Sequence, residues 1–94
     1  MIVKRGSETA PVENIDRLER VEVWDAAWGK KSDRKVRDLA PMNPDHFAER
    51  RAAGAFQACA IGRPVYYTRT SDGIEFHPGA DRDYWFEPVF RKAT

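Results

Sequence analysis

Ninety-four residues, 41% hydrophobic and 33% charged, fit one globular domain and are too few for two independent cores. Sixteen Lys and Arg nearly balance fifteen Asp and Glu, so net charge gives no reason to expect a nucleic acid or a membrane as partner. The lone cysteine, Cys59, excludes an intrachain disulfide and a cysteine-based zinc site, and it argues for a reducing, cytoplasmic setting.

In chain order, residues 1–11 read as a mobile N-terminal segment without the apolar run of a signal peptide. From Asn14 to Trp28 the pattern serves two readings. Ile15, Leu18 and Val21 fit a helical stripe, while Val21 and Val23 alternate with Arg20 and Glu22 as in a strand. The expectation is a strand from about Arg20 to Trp24 after a short helical turn. Ser32-Asp33 suits the cap of a two-turn helix over Asp33 to Leu39, stopped by Pro41.

Asn43-Pro44-Asp45 is a helix start. Asn accepts from free N–H groups, Pro tolerates the first helical position, and Asp favours the positive end of the dipole. Phe47, Ala48, Ala52, Ala55, Phe56 and Cys59 recur at helical spacing, and Gly62 with Pro64 suits a stop. The main helix is therefore expected over Asn43 to Ile61. The alternative ends it at Gly54 and makes Ala55–Ile61 a strand.

Val65 to Thr70 and Ile74 to His77 flank Ser71-Asp72-Gly73, a hairpin signal. A three-residue loop with Gly73 left-handed places Ile74 opposite Thr70, Glu75 opposite Arg69 and Phe76 opposite Thr68. That register gathers Tyr66, Thr68, Ile74 and Phe76 on one face. Tyr84 to Arg91 forms a further strand, with Tyr84 and Phe86 on one side and Trp85, Glu87 and Val89 on the other. Pro88 lacks an N–H, so the strand is expected at an edge or bulged there.

The fold class expected is a single α+β domain. One main helix packs on a small, mostly antiparallel sheet of three to four strands, with an N-terminal strand and short helix added. The sheet face away from the helix then carries Tyr67, Arg69, Trp85 and Arg91, together with His77. It is either an open interaction surface or is covered by the N-terminal third, since some of Val23, Trp24 and Trp28 must also be buried.

Chemical constellations are thin. His77, Asp81 and Asp83 are ligand types around a turn, but short polar loops often hold such a set. His46 and Glu49 form one isolated i, i+3 pair. Cys59 near a helix C-terminus lacks the electropositive site of a reactive thiolate. No phosphate loop, dinucleotide fingerprint or nucleophile elbow is present. The expectation is a non-catalytic protein without cofactor or metal that binds another protein as adaptor, accessory subunit or inhibitor, through Tyr67, Arg69, Trp85 and Arg91. The alternative is a nucleic-acid-binding domain using the basic run Lys30, Lys31, Arg34, Lys35 and Arg37 with an aromatic sheet face. A monomer, or a homodimer through the edge strand Tyr84–Phe90, is consistent with either.

Overall fold

Strand alternation, rather than helical spacing, organises most of this chain. The computed structural model describes residues 1–52 and 61–92. In chain order the elements are β1 (Ile2–Val3), β2 (Thr9–Pro11), a 3-10 turn (Ile15–Arg17), β3 (Leu18–Ala27), β4 (Lys30–Asp38) and β5 (Ala40–Pro41). There follow α1 (Pro44–Ala52), β6 (Ile61–Gly62), β7 (Tyr66–Arg69), β8 (Gly73–His77), β9 (Gly79–Ala80) and β10 (Tyr84–Phe90). The expected α+β arrangement is overturned: the described chain is mostly strand, in several sheets, with a single short helix.

Two four-stranded sheets carry the core. One has the order β1-β10-β3-β4 and the other β2-β8-β7-β5; β6 and β9 form a small parallel pair. Val3, Val21, Val23, Tyr84 and Phe86 from the first sheet share a buried cluster with Ala10, Tyr67, Ile74 and Phe76 from the second. Phe76 and Phe86 meet edge-on across the interior, with centroids 4.9 Å apart. Leu18 joins this cluster because the ladder with β10 slips by one residue: Val89 faces Arg20, yet Phe90 faces Leu18.

The sheets are joined at two corners. Leu39 N donates to Val21 O (2.9 Å) in one sheet, and the next amide, Ala40 N, donates to Val65 O (2.8 Å) in the other. The chain also passes from β1 in the first sheet to β2 in the second, around a turn closed by Ser7 N to Lys4 O. Backbone pairing therefore runs round a closed circuit of β1–β2, β8, β7, β5–β4, β3 and β10. Such closure is one way an all-β protein protects its strand edges.

Several sequence expectations are corrected by this architecture. Residues 1–11 contribute two paired strands, with Val3 and Ala10 buried. The helical turn and the strand over Arg20–Trp24 are present, the strand extended to Leu18–Ala27. Asp33 to Leu39 is not helical; it belongs mainly to β4, paired with β3. The main helix starts as expected, with Asp45 N donating to Asn43 Oδ1 (2.9 Å) and Phe47 N to Asn43 O (2.9 Å). It does not reach Ile61, which is strand. Gly54, Ala55, Phe56 and Cys59 lie outside the described residues. Helix α1 is not the core element. It lies against β7, and Phe47 is its one buried side chain over residues 44–50.

The β7–β8 hairpin differs from expectation by one residue of register. Tyr67 faces Phe76, Thr68 faces Glu75, and Arg69 faces Ile74. Thr70 and Gly73 close the loop through Thr70 N to Gly73 O (2.9 Å), leaving Ser71-Asp72 as its tip. A one-residue slip reverses a strand's faces, so Tyr67 points into the core at 1% exposure instead of onto an open surface. Thr68 then faces outward, where it is buried on the side that α1 covers.

Strand β10 is not an edge along its length. It sits between β1 and β3, with β1 covering only Tyr84 and Trp85 in the ladder and Met1 reaching Phe86. Pro88 falls beyond this cover, where a missing N–H breaks no ladder bond with β1. The homodimer edge expected over Tyr84–Phe90 is thus reduced to its second half, interrupted by proline.

Candidate functional site

The long β3–β4 hairpin holds most of the chemistry. Its two-residue loop is Trp28-Gly29, closed by the pair Ala27 and Lys30. Both loop residues have positive φ, 57° at Trp28 and 73° at Gly29. Two positive φ values suit the twist of a tight hairpin, and such loops favour Asn-Gly. A tryptophan in the left-handed region costs about 1–2 kcal/mol relative to a residue at ease there. The Trp28 side chain is 99% exposed and recovers nothing by packing within the chain.

Behind this tip, the outward face of the first sheet is arranged in rows. Ile2, Trp85, Trp24 and Lys35 are successive cross-strand neighbours. The adjacent row is Glu87, Glu22 and Asp38. The indoles donate into that acidic row, Trp24 Nε1 to Glu22 Oε1 (3.2 Å) and Trp85 Nε1 to Glu87 Oε2 (2.9 Å). Lys31 Nζ lies 4.1 Å from the centroid of the Trp24 ring, a cation–π contact. Glu22 also pairs with Arg20 (3.0 Å) and lies 3.8 Å from Lys35, which bonds Asp38 at 2.9 Å. Burial pushes the Glu22 carboxyl up, but the hydrogen bonds from Arg20 and Trp24, with the charge on Lys35, outweigh it and leave the pKa lowered.

Where β3 and β4 bulge, the ladder slips between Val23 and Trp24 and again before Ala26. Bulges re-aim side chains, and Arg34 here reaches Asp25 (3.9 Å), while its amide donates to Ser32 Oγ (3.1 Å). Arg82 pairs with the other Asp25 oxygen at 3.2 Å and lies over the Tyr84 ring, 5.3 Å from its centroid. Its interaction with Tyr84, ahead of the charges on Asp25 and Asp81, raises the Arg82 pKa. Asp25, Arg34, Lys35, Val36, Arg63 and Arg82 line a polar concavity of about 430 Å³.

The residues singled out in the sequence do not form one patch. Tyr67 is core. Arg69 donates to Leu18 O and Arg91 to Asp16 O (3.1 Å), so both guanidiniums hold carbonyls around the 3-10 turn. Trp85 alone belongs to the outward face, beside Trp24. Of the basic run, Arg34 and Lys35 line the concavity, Lys31 covers Trp24, and Lys30 closes the hairpin loop. Arg37 faces Val23 across the ladder, with its Nε buried.

Sequence reasoning missed Trp28, which it counted only among three residues of which some must be buried; Val23 is the one that is. The available signal was Trp-Gly between two polar, alternating runs, the place of a two-residue hairpin loop. The other candidates find structural uses. Asp81 accepts from the Tyr84 hydroxyl, Asp83 accepts from Arg5 N (2.9 Å), and His46 accepts from Arg50 Nε (3.1 Å) rather than pairing with Glu49. Among the described residues no three His, Cys, Asp or Glu side chains converge to hold a metal, and no helix is long and apolar enough to cross a membrane. No family model, curated protein or solved structure matches this chain.

Proposed function

We propose that this is a small non-catalytic binding protein, an adaptor, accessory subunit or inhibitor, that occupies a partner protein's surface through the outward face of β3, β4 and β10. The observation that carries the reading is Trp28, fully exposed on a backbone conformation unfavourable to it. A chain that keeps both costs has a use for that indole outside its own core. Tryptophans are the commonest anchors of protein interfaces, each worth about 2 kcal/mol or more when seated in a partner pocket. Trp24 and Trp85 add an apolar band behind it. The acidic row Glu87, Glu22 and Asp38 beside them favours a protein partner with basic side chains at its rim, and would repel a phosphate backbone laid along that face. A reducing, cytoplasmic setting is proposed with it, from the single cysteine.

The test is capture from native lysate, with nuclease and moderate salt, by the wild type and by Trp28→Asn. A stoichiometric protein held by the wild type and lost by the variant supports the reading. An unchanged capture profile for a folded Trp28→Asn sinks it.

Single-stranded nucleic acid is the second reading, favoured by Lys31 over Trp24 beside an exposed Trp28. It requires binding of a deoxythymidine oligomer that weakens steeply with salt, with a log–log slope near −0.7 for each phosphate contacted. Lys30→Gln with Lys31→Gln would lower that slope.

A further inference from the structure

We infer that the concavity between Asp25, Arg34, Lys35, Arg63 and Arg82 is a binding site for a compact phosphate-bearing ligand, independent of the Trp28 surface. Four cations and one carboxylate line it, so three positive charges are in excess in a chain whose overall charge is nearly balanced. Its volume of about 430 Å³ is that of a small-molecule site, and its lining is polar except for Val36. An apolar ligand has little to contact there. A carboxylate would neutralise one charge of the three. A phosphate monoester brings about −1.5 to −2 near neutral pH, and a diphosphate comes closer to balance.

Asp25 is what makes the cluster usable. Its two oxygens take different guanidiniums, Arg82 at 3.2 Å and Arg34 at 3.9 Å. Without that carboxylate the two arginines would repel each other and spread into solvent. With it, Arg82 is held on one side, while the largely exposed Arg34 is drawn toward the site by charge; both retain further N–H donors, since a guanidinium carries five. Arg82 also lies over the Tyr84 ring, 5.3 Å from its centroid. A guanidinium held as Arg82 is binds phosphate oxygens at less ordering cost than a free one, and Arg34 can close on the same ligand. Arg63, just after β6, makes no ion pair within the described residues and supplies a third guanidinium. Lys35 is already engaged with Asp38 and Glu22, so its share is long-range charge.

The experiment is a titration with inorganic pyrophosphate, and separately with inorganic phosphate, followed by amide NMR shifts at low ionic strength. Saturable shifts on β3, β4 and around Arg63 and Arg82 are expected, with pyrophosphate the tighter ligand. Arg34→Gln and Arg63→Gln should each weaken pyrophosphate by about fivefold to tenfold, as loss of one charge-assisted contact does. Lys92→Gln, which removes an exposed cation outside the concavity, should change it less than twofold. Trp28→Asn should leave it unchanged, so this site and the protein-binding face stand or fall separately. Absence of saturable shifts overturns the inference, as does an equal effect of Lys92→Gln. A deoxythymidine oligomer that binds far more tightly than pyrophosphate, and depends on Lys30 and Lys31 rather than Arg63, would replace it with a nucleic-acid track. Each variant is compared at matched fold, verified by circular dichroism.

Discussion

Gly73 shows how one residue can carry a constraint that its neighbours in sequence do not reveal. It lies in the hairpin segment and reads as a turn glycine, yet it is not among the residues with positive φ. Its role is close approach: an added Cβ would stand 2.2 Å from Ala10 O, 2.7 Å from Val12 N and 2.9 Å from Pro11 Cα. All three are backbone atoms, so strand β2 must move. Gly73→Ala is expected to cost about 2–3 kcal/mol in chemical denaturation and to speed amide exchange in Thr9–Pro11 first. Glu22 carries a different constraint. Its folded pKa is lowered, so its contribution is complete above the ordinary value of 4.5 and is lost as pH falls through the lower folded value. Glu22→Gln should reduce stability by about 1 kcal/mol at pH 7, roughly 4–8 °C in melting temperature for a chain this size. Below the folded pKa the two proteins should converge. A difference that persists unchanged as the carboxyl is titrated to its acid form would show that the glutamate acts through packing instead of charge.

At the scale of elements, the β3–β4 hairpin sets stability against binding. Asn in place of Trp28 relieves the left-handed strain and loses no intramolecular packing, because the indole is fully exposed. Trp28→Asn should therefore raise stability by about 1 kcal/mol while abolishing capture of the partner. A melting temperature that falls would mean the indole packs on the fold in solution. The same hairpin shows where sequence reading works and where it stops. Strand β10 was legible from Tyr84, Phe86 and their polar-side alternates. The start of α1 was legible from Asn43-Pro44-Asp45, because capping is local. Strand β4 was not: Lys30–Asp38 is polar on both faces apart from Val36, and only its pairing with β3 makes it a strand. The stripe that begins at Phe47 suggested a packing helix; Phe47 is buried and Ala48 exposed, and most of the rest lies outside the described residues, while the core itself is filled by the inner faces of the two sheets. Tyr67 was misplaced for a simpler reason. The loop tip is Ser71-Asp72, and counting Gly73 into it moves every side chain of β7 to the wrong face. Of the candidate sites, the basic residues were legible as a run. Their convergence with Asp25, Arg63 and Arg82 was not, since four separate stretches of chain contribute.

At the scale of the whole molecule, closure of the pairing circuit makes the two sheets depend on one interior. Phe76 belongs to the second sheet and Phe86 to the first, and each is fully buried. Neither sheet can keep its inner face dry without the other, and the corners at Leu39 and at the β1–β2 turn prevent the sheets from separating as units. Phe76→Ala and Phe86→Ala should each cost about 3–5 kcal/mol, which for a small domain approaches its whole stability. The informative quantity is their coupling. In a double-mutant cycle the double loss should fall short of the sum of the single losses by about 0.5–1.5 kcal/mol, because the edge-on pair is lost in either single variant. Unfolding should remain a single transition by far-ultraviolet dichroism and tryptophan fluorescence in every variant that folds. Conservative Phe→Leu changes at both positions keep the cycle measurable where alanine leaves too little native protein. Additive losses with two separate transitions would mean that the sheets are held mainly within themselves, and that closure contributes little to cooperativity.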